Sequence, residues 1–186
     1  MRARKSKFGF TLIELMITIS IMGILTVVMI PAIRSFDRRN KVTSAAEQLK
    51  SAILEARNYS MSPRFSDTNI DRYSVMMDLS QTPVEYEVGY FEKTTNTWHS
   101  IAPRKLPKGV TVDQRYPDDA NPNDMEIGFM VPAASVKFEN LFDYTNQTTW
   151  PAASGIGTVK LCGESASCGD SKTVKINSYT GLVLIE

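Results

Sequence analysis

Residues 10–33, FTLIELMITISIMGILTVVMIPAI, contain a single formal charge, Glu14. Wound as a helix at about 1.5 Å per residue, these 24 residues span roughly 36 Å, enough to cross a hydrocarbon core of about 30 Å. A run of this length points to a membrane-inserted stage and leaves the folded domain to be built from the rest of the chain. Four cations, Arg2, Arg4, Lys5 and Lys7, come before it. They favour a cytoplasmic N-terminus, although Arg34, Arg38, Arg39 and Lys41 on the far side weaken the contrast.

The flanks narrow the kind of segment. A secretory signal needs small residues before its cleavage point, and the candidate ending at Ala32 has Ile30 in that place. No cysteine near the N-terminus offers a lipoprotein anchor. Instead a glycine stands just before the apolar run and an acid lies inside it. The stretch Gly9-Phe10-Thr11-Leu12-Ile13-Glu14 resembles the processing site of type IV pilins and of the pseudopilins of type II secretion. Gly23 and Pro31 also sit where that family has them.

The resemblance implies a prepilin whose basic leader, residues 1–9, is removed by a prepilin peptidase cutting after Gly9 on the cytoplasmic side. The same peptidase would methylate the new N-terminal Phe10. It further implies a single-pass inner-membrane protein with its C-terminal domain in the periplasm. Its partners would be the membrane, the inner-membrane assembly platform and other pilin or pseudopilin subunits, and its end state a type IV pilus or type II secretion pseudopilus.

Glu14 supports this reading on physical grounds. A carboxylate at membrane depth costs on the order of 2.5 to 3.5 kcal/mol on insertion scales, so such groups usually have a partner. Cleavage after Gly9 frees an amine on Phe10 one helical turn away, and a neighbouring subunit's amine serves equally well. The resemblance assigns Glu14 to recruitment of the incoming subunit; the competing reading is an interfacial Glu that snorkels. Gly23 and Pro31 weaken the helix between them, since proline removes a backbone hydrogen bond and glycine is a poor helix former. A simple kink and partial melting in a filament are both compatible with that interval.

Beyond Ile33 the pattern becomes amphipathic. Val42, Ala45, Ala46, Leu49, Ala52, Ile53, Ala56 and Tyr59 recur every three to four residues, and Ser62-Pro63 closes the helix. The small-residue stripe of Ala45, Ala46, Ala52 and Ala56 would let a sheet approach closely. After Pro63 the period is two, predicting strands over 72–79, 84–93, 97–106, 110–113, 126–130, 135–138, 158–162, 173–177 and 182–185. Hairpins are expected across Lys93-Thr94-Thr95-Asn96 and across Ser178-Tyr179-Thr180-Gly181. With no βαβ alternation the sheet should be antiparallel. The fold class is therefore α+β, a long N-terminal helix packed on a mostly antiparallel β domain. The organisation is a leader at 1–9, a transmembrane and assembly helix at 10–33, its amphipathic continuation at 34–62 and a β-rich domain at 63–186. Helix register and element order look most like the H-type minor pseudopilins and related minor pilins.

The β domain offers few chemical groups. Cys162 and Cys168 are the only cysteines, and in a domain outside the cytoplasm a disulfide is the default. Closing so short a loop is worth about 2.4 kcal/mol on the chain-entropy model. A metal site is the weaker reading, because a single histidine, His99, leaves no four-ligand set, and a redox pair would want two intervening residues. The acidic stretch 118–126 is dense in oxygen ligands but fails the EF-hand template, with Asp124 at the glycine position and Met130 at the last acid position; an irregular calcium site or a solvated turn remains.

His99 reads as an ordinary strand residue, its neighbour Trp98 and Trp150 as core or contact surface, and no catalytic set, cofactor motif or metal motif is present. The chain is expected not to be an enzyme. Some minor pilins take up DNA through basic residues at the C-terminal turn, but residues 64–186 carry 11 basic against 16 acidic residues, with only Lys172 and Lys175 near that turn. Nucleic acid is therefore not an expected partner. The alternative to a filament subunit is a membrane-tethered surface module for DNA uptake or adhesion, with the helix only as its attachment.

Overall fold

A computed structural model describes residues 10–63, 69–116, 124–131, 136–139, 156–163, 168–177 and 180–186. The chain divides into two compact units, Met1–Asp37 and Arg38–Glu186, and one helix, α1 (Leu12–Met61), supplies residues to both. α1 continues through Gly23 and Pro31.

In the first unit, the described side chains of α1 are exposed on all sides, Ser35 alone being half-buried. Its hydroxyls are satisfied within the helix. Thr18 Oγ1 donates to the Leu15 carbonyl at 2.8 Å, Ser20 Oγ to Met16 at 2.8 Å and Thr26 Oγ1 to Met22 at 2.7 Å. Such back-bonding lets serine and threonine sit in an apolar setting without an unsatisfied donor. This half of α1 is long and apolar enough to cross a membrane.

In the second unit, α1 buries one stripe. Val42, Ala45, Ala46, Leu49, Ala52, Ile53 and Ala56 are all buried, as the three-to-four spacing predicts, while Tyr59 is half-buried. The helix stops at Met61, just before Ser62-Pro63.

Among the described residues nine strands follow: β1 (Ile70–Asp78), β2 (Glu85–Glu92), β3 (Trp98–Lys105), β4 (Val110–Tyr116), β5 (Asp124–Met130), β6 (Val136–Glu139), β7 (Ile156–Gly163), β8 (Ser171–Asn177) and β9 (Val183–Ile185). Each overlaps a strand expected from the alternation, and every pairing is antiparallel. Both expected hairpins, β2–β3 and β8–β9, are present.

The strands form two sheets where the alternation suggested one. A five-stranded sheet has the order β3-β2-β1-β5-β6, and a four-stranded sheet the order β4-β7-β8-β9. The chain switches sheets after β3, β4 and β6, so neighbours in sequence do not always pair. Both sheets reach the same helix. Val42 lies against Gly163 of β7, and Arg57 against the β8–β9 turn. On the other sheet, Glu55 accepts a hydrogen bond from Arg104 of β3 at 2.7 Å, and Tyr59 meets the Tyr73 ring of β1 at 5.6 Å. A smooth stripe of alanines gives two apolar faces access to one helix, which explains why a single core cluster collects residues from α1 and both sheets.

Along β1 the alternation is masked by burial on both faces. Tyr73, Val75 and Met77 enter the core, while Arg72 and Ser74, on the opposite face, are buried as well. Arg72 Nε donates to Glu126 Oε1 at 2.7 Å, its Nη1 to Asp71 at 2.9 Å, and the Ser74 hydroxyl also donates to Glu126. The guanidinium lies 4.0 Å from the Phe91 ring centroid. Gly128 makes room for this cluster, since a Cβ there would meet Ser74 Oγ at 3.0 Å and Glu126 Oε1 at 3.2 Å.

Candidate functional site

The chemistry-bearing residues of the first unit gather at the start of α1. Phe10 and Thr11 precede the helix, and the Leu15 amide makes an early helical bond to the Thr11 carbonyl at 3.2 Å. Thr11 is therefore the N-cap and Glu14 the third helical residue, the spacing of a capping box. The Thr11 amide and hydroxyl each donate to Glu14 Oε2 at 2.9 Å, and the Glu14 amide donates back to Thr11 Oγ1 at 3.3 Å. Two otherwise orphaned backbone donors are thereby satisfied.

Around this cap the surface is apolar. Phe10, Leu12, Ile13, Leu15, Met16 and Ile17 are all exposed, and the exposed apolar series continues to Ile33. Exposed apolar patches beyond a few hundred Å² mark a surface made for lipid or for another protein. Glu14 is the one formal charge in it.

Residues 4–30 match the family model described as the prokaryotic N-terminal methylation motif. Among curated relatives, a fimbrial protein of Pseudomonas aeruginosa is 39% identical over 74 residues, covering 36% of this chain and 48% of that protein. A type IV major pilin protein PilE1 of Neisseria gonorrhoeae is 52% identical over 50 residues, 25% of this chain and 30% of its own length. A fimbrial protein of Neisseria meningitidis serogroup B is equally similar over 50 residues, 29% of its length. Over this segment the chain carries the N-terminal motif of type IV pilin-like proteins. It spans about half the length of the first of these relatives and less of the Neisseria proteins, so the likeness rests on the N-terminal part. No solved structure matches the chain at a significant level. The single long helix packed on antiparallel sheets is the α+β architecture of pilins.

Elsewhere in the chain the expected groups meet varied fates. Gly9 lies outside the described residues, as do 118–123 of the acidic stretch and Trp150. Gly23 is described and open, with nothing within 4 Å of where a Cβ would project. The acidic stretch does not end as a turn. Asp124 and Glu126 belong to β5, and the Glu126 carboxylate is occupied by Arg72 and Ser74 rather than free for a cation.

Cys162 and Cys168 form a disulfide with a Cα–Cα distance of 5.2 Å, joining the end of β7 to the residue ahead of β8's approach. Asp113 lies close enough to make a three-ligand cluster with these cysteines. The sulfurs are spent in the disulfide, however, and Asp113 pairs with Lys160 at 3.1 Å, which suits a structural bridge rather than a metal centre.

His99 is exposed on β3 and stacked on Tyr90 at 4.9 Å between centroids. Trp98, half-buried, covers Gly89 and donates to Glu87 at 3.2 Å. His99 is thus a strand residue, and Trp98 packs on the strand beside it.

At the C-terminal turn, Lys175 pairs with Glu186 at 2.6 Å. The sequence around the turn contains no arginine, yet one reaches it from α1. Arg57 Nη2 donates to the Thr180 carbonyl at 2.8 Å and packs under Gly181, whose φ is +63°. Nothing local in sequence links residues 123 positions apart, so this contact was not legible. The Arg72–Glu126 pair was missed for a related reason, because it depends on β1 and β5 being neighbours across a connection that passes through the other sheet.

Proposed function

We propose that the chain is a minor pilin or pseudopilin subunit, most like the H-type, and not an enzyme. It enters the inner membrane as a prepilin and is cut after Gly9 by a prepilin peptidase. With methylated Phe10 at its N-terminus, it then packs through the first half of α1 into a type IV pilus or type II secretion pseudopilus. In this reading the β domain faces the periplasm before assembly, and other pilin-like subunits and the assembly platform are its partners.

The observation that carries the reading is the uncovered apolar half of α1 with Glu14 as its one charge, a single turn from Phe10. A lipid bilayer covers such a helix before assembly, and neighbouring helices cover it afterwards. Lipid offers the carboxylate no cation, whereas a processed neighbour offers its α-amine.

Mass spectrometry of the mature N-terminus tests processing. The expected result is a chain beginning at Phe10 and heavier by one methyl group; functional protein retaining residues 1–9 contradicts it. Glu14→Leu tests assembly, with normal membrane insertion and loss of incorporation as the expected outcome. Unchanged filament incorporation would remove the reading.

A further inference from the structure

Residues 34–41, RSFDRRNK, follow directly on the apolar run and carry four cations, Arg34, Arg38, Arg39 and Lys41, against one acid, Asp37. All four cations are exposed on α1. Arg39 donates to Asp170 at 3.0 Å, and Asp37 and Lys41 have contacts of their own, whereas Arg34 and Arg38 have no ion pair among the described residues. These cations stand at the unfavourable end of the apolar run. Positive charge favours the cytoplasmic side, and carrying it to the far side works against the membrane potential. An attraction on the far side would offset that.

At about 1.5 Å per residue, Arg34 and Arg38 come within roughly 8 Å of the end of the apolar run, the depth of one headgroup layer. Lys41 is about 12 Å away along the helix, and its long side chain can turn back toward the membrane. Phe36, exposed among the cations, adds apolar surface able to enter the same layer. Three of the four cations are arginines, whose guanidinium forks match a pair of phosphate oxygens. We propose that residues 34–41 are a binding segment for anionic phospholipid: Arg34 and Arg38 take headgroup phosphates on the membrane face from which the β domain emerges, and Arg39 and Lys41 add attraction. A zwitterionic headgroup carries its own cation and gains less. This rests on the proposal that residues 10–33 span the inner membrane.

The other occupant of matching charge is the acidic β domain of a second copy, residues 64–186 having 16 acidic against 11 basic residues. Lipid is favoured because chain connectivity sets these cations at the membrane surface in every inserted copy, before any partner arrives.

The test uses the full chain inserted in vesicles with its β domain outside. Spin-labelled phosphatidylglycerol or phosphatidylcholine is added to the outer leaflet, and the fraction of each immobilised against the protein is read by electron paramagnetic resonance. Wild type should favour phosphatidylglycerol about fivefold, and less at high salt. Arg34→Gln/Arg38→Gln should remove most of that preference, and Arg34→Lys/Arg38→Lys should keep it. Arg39→Gln should change it least, since Arg39 is already bonded to Asp170. A preference unchanged in Arg34→Gln/Arg38→Gln, or none in inserted wild type, overturns the proposal and leaves the membrane span standing. Chain stripped by alkaline carbonate from vesicles of either lipid removes the span, and the proposal with it. Reduced filament incorporation of Arg34→Gln/Arg38→Gln with unchanged lipid preference assigns the cations to a second copy's acidic domain instead, and overturns the lipid assignment.

Discussion

Two carboxylates, one in each unit, are treated differently by the same chain. Glu126, in the β domain, is buried, and the sequence supplies its counter-charge, Arg72, with Ser74 as a further donor. Glu14, in an apolar helix, has among the described residues the amide and hydroxyl of Thr11, neither of them cationic. Removing a carboxylate from water is expensive unless it is paired. The domain solves this internally, and in the proposed reading α1 takes its positive partner from a processed neighbour. The two halves of α1 repeat the contrast. The second half buries a stripe against its own sheets, while the first half has no buried side chain among the described residues.

That contrast can be broken from the domain side. Glu126→Leu removes the buried counter-charge that the Arg72 guanidinium meets at 2.7 Å, and stability should fall by about 3–5 kcal/mol. The double variant with Arg72→Met should recover most of it. Chemical denaturation of the three proteins decides, and equal losses for the single and double variants would mean the pair is not the internal solution described.

A slightly smaller effect sharpens the comparison of the helix halves. Leu49→Ala removes a fully buried side chain and should cost about 2–5 kcal/mol, whereas Ile24→Ala, in the exposed apolar half, should leave the domain's unfolding unchanged. Parallel thermal melts of the detergent-solubilised chain test both.

At Gly181 the positive φ and the Arg57 side chain 2.7 Å from a would-be Cβ predict a loss of about 1–2 kcal/mol for Gly181→Ala. The loss should be confined to the second unit and is measurable by the same melts.

The smallest effect is in acid. Hydrogen bonds from the Ser80 hydroxyl and then its amide hold the Asp78 carboxyl below its ordinary value of 3.8, against slight desolvation. A depressed folded-state value means a contribution that is fully present above the unfolded value and lost as pH falls through the depressed one. Ser80→Ala should therefore lower stability slightly at neutral pH and make the acid limb shallower; an unchanged limb would show that the bonds carry no linkage.

Much of this was legible in the residues, and the exceptions share a cause. The helix stripe from Val42 to Ala56 and the strands were readable because local periodicity reports burial directly. Two sheets instead of one were not, since strand switching after β3, β4 and β6 leaves no periodic trace. Arg72 with Glu126, and Arg57 with the β8–β9 turn, depend on that topology and stayed hidden with it. At the N-terminus, Glu14 was visible as a lone acid. Its capping by Thr11 was also written locally, as a threonine three residues ahead of a glutamate, a signal masked by the membrane reading of the same residues.

The central claim is the proposal that Glu14, which has no cation among the described residues, receives one from a processed neighbour. The most direct measurement is the incorporation of Glu14→Gln into filaments in competition with wild type, counted by mass spectrometry of purified filaments against the processed pool in the membrane. Glutamine keeps the shape and loses the charge. Under-representation on the order of tenfold or more, with cleavage and methylation intact, is the result predicted from a lost charge-assisted bond. Incorporation equal to wild type would contradict it.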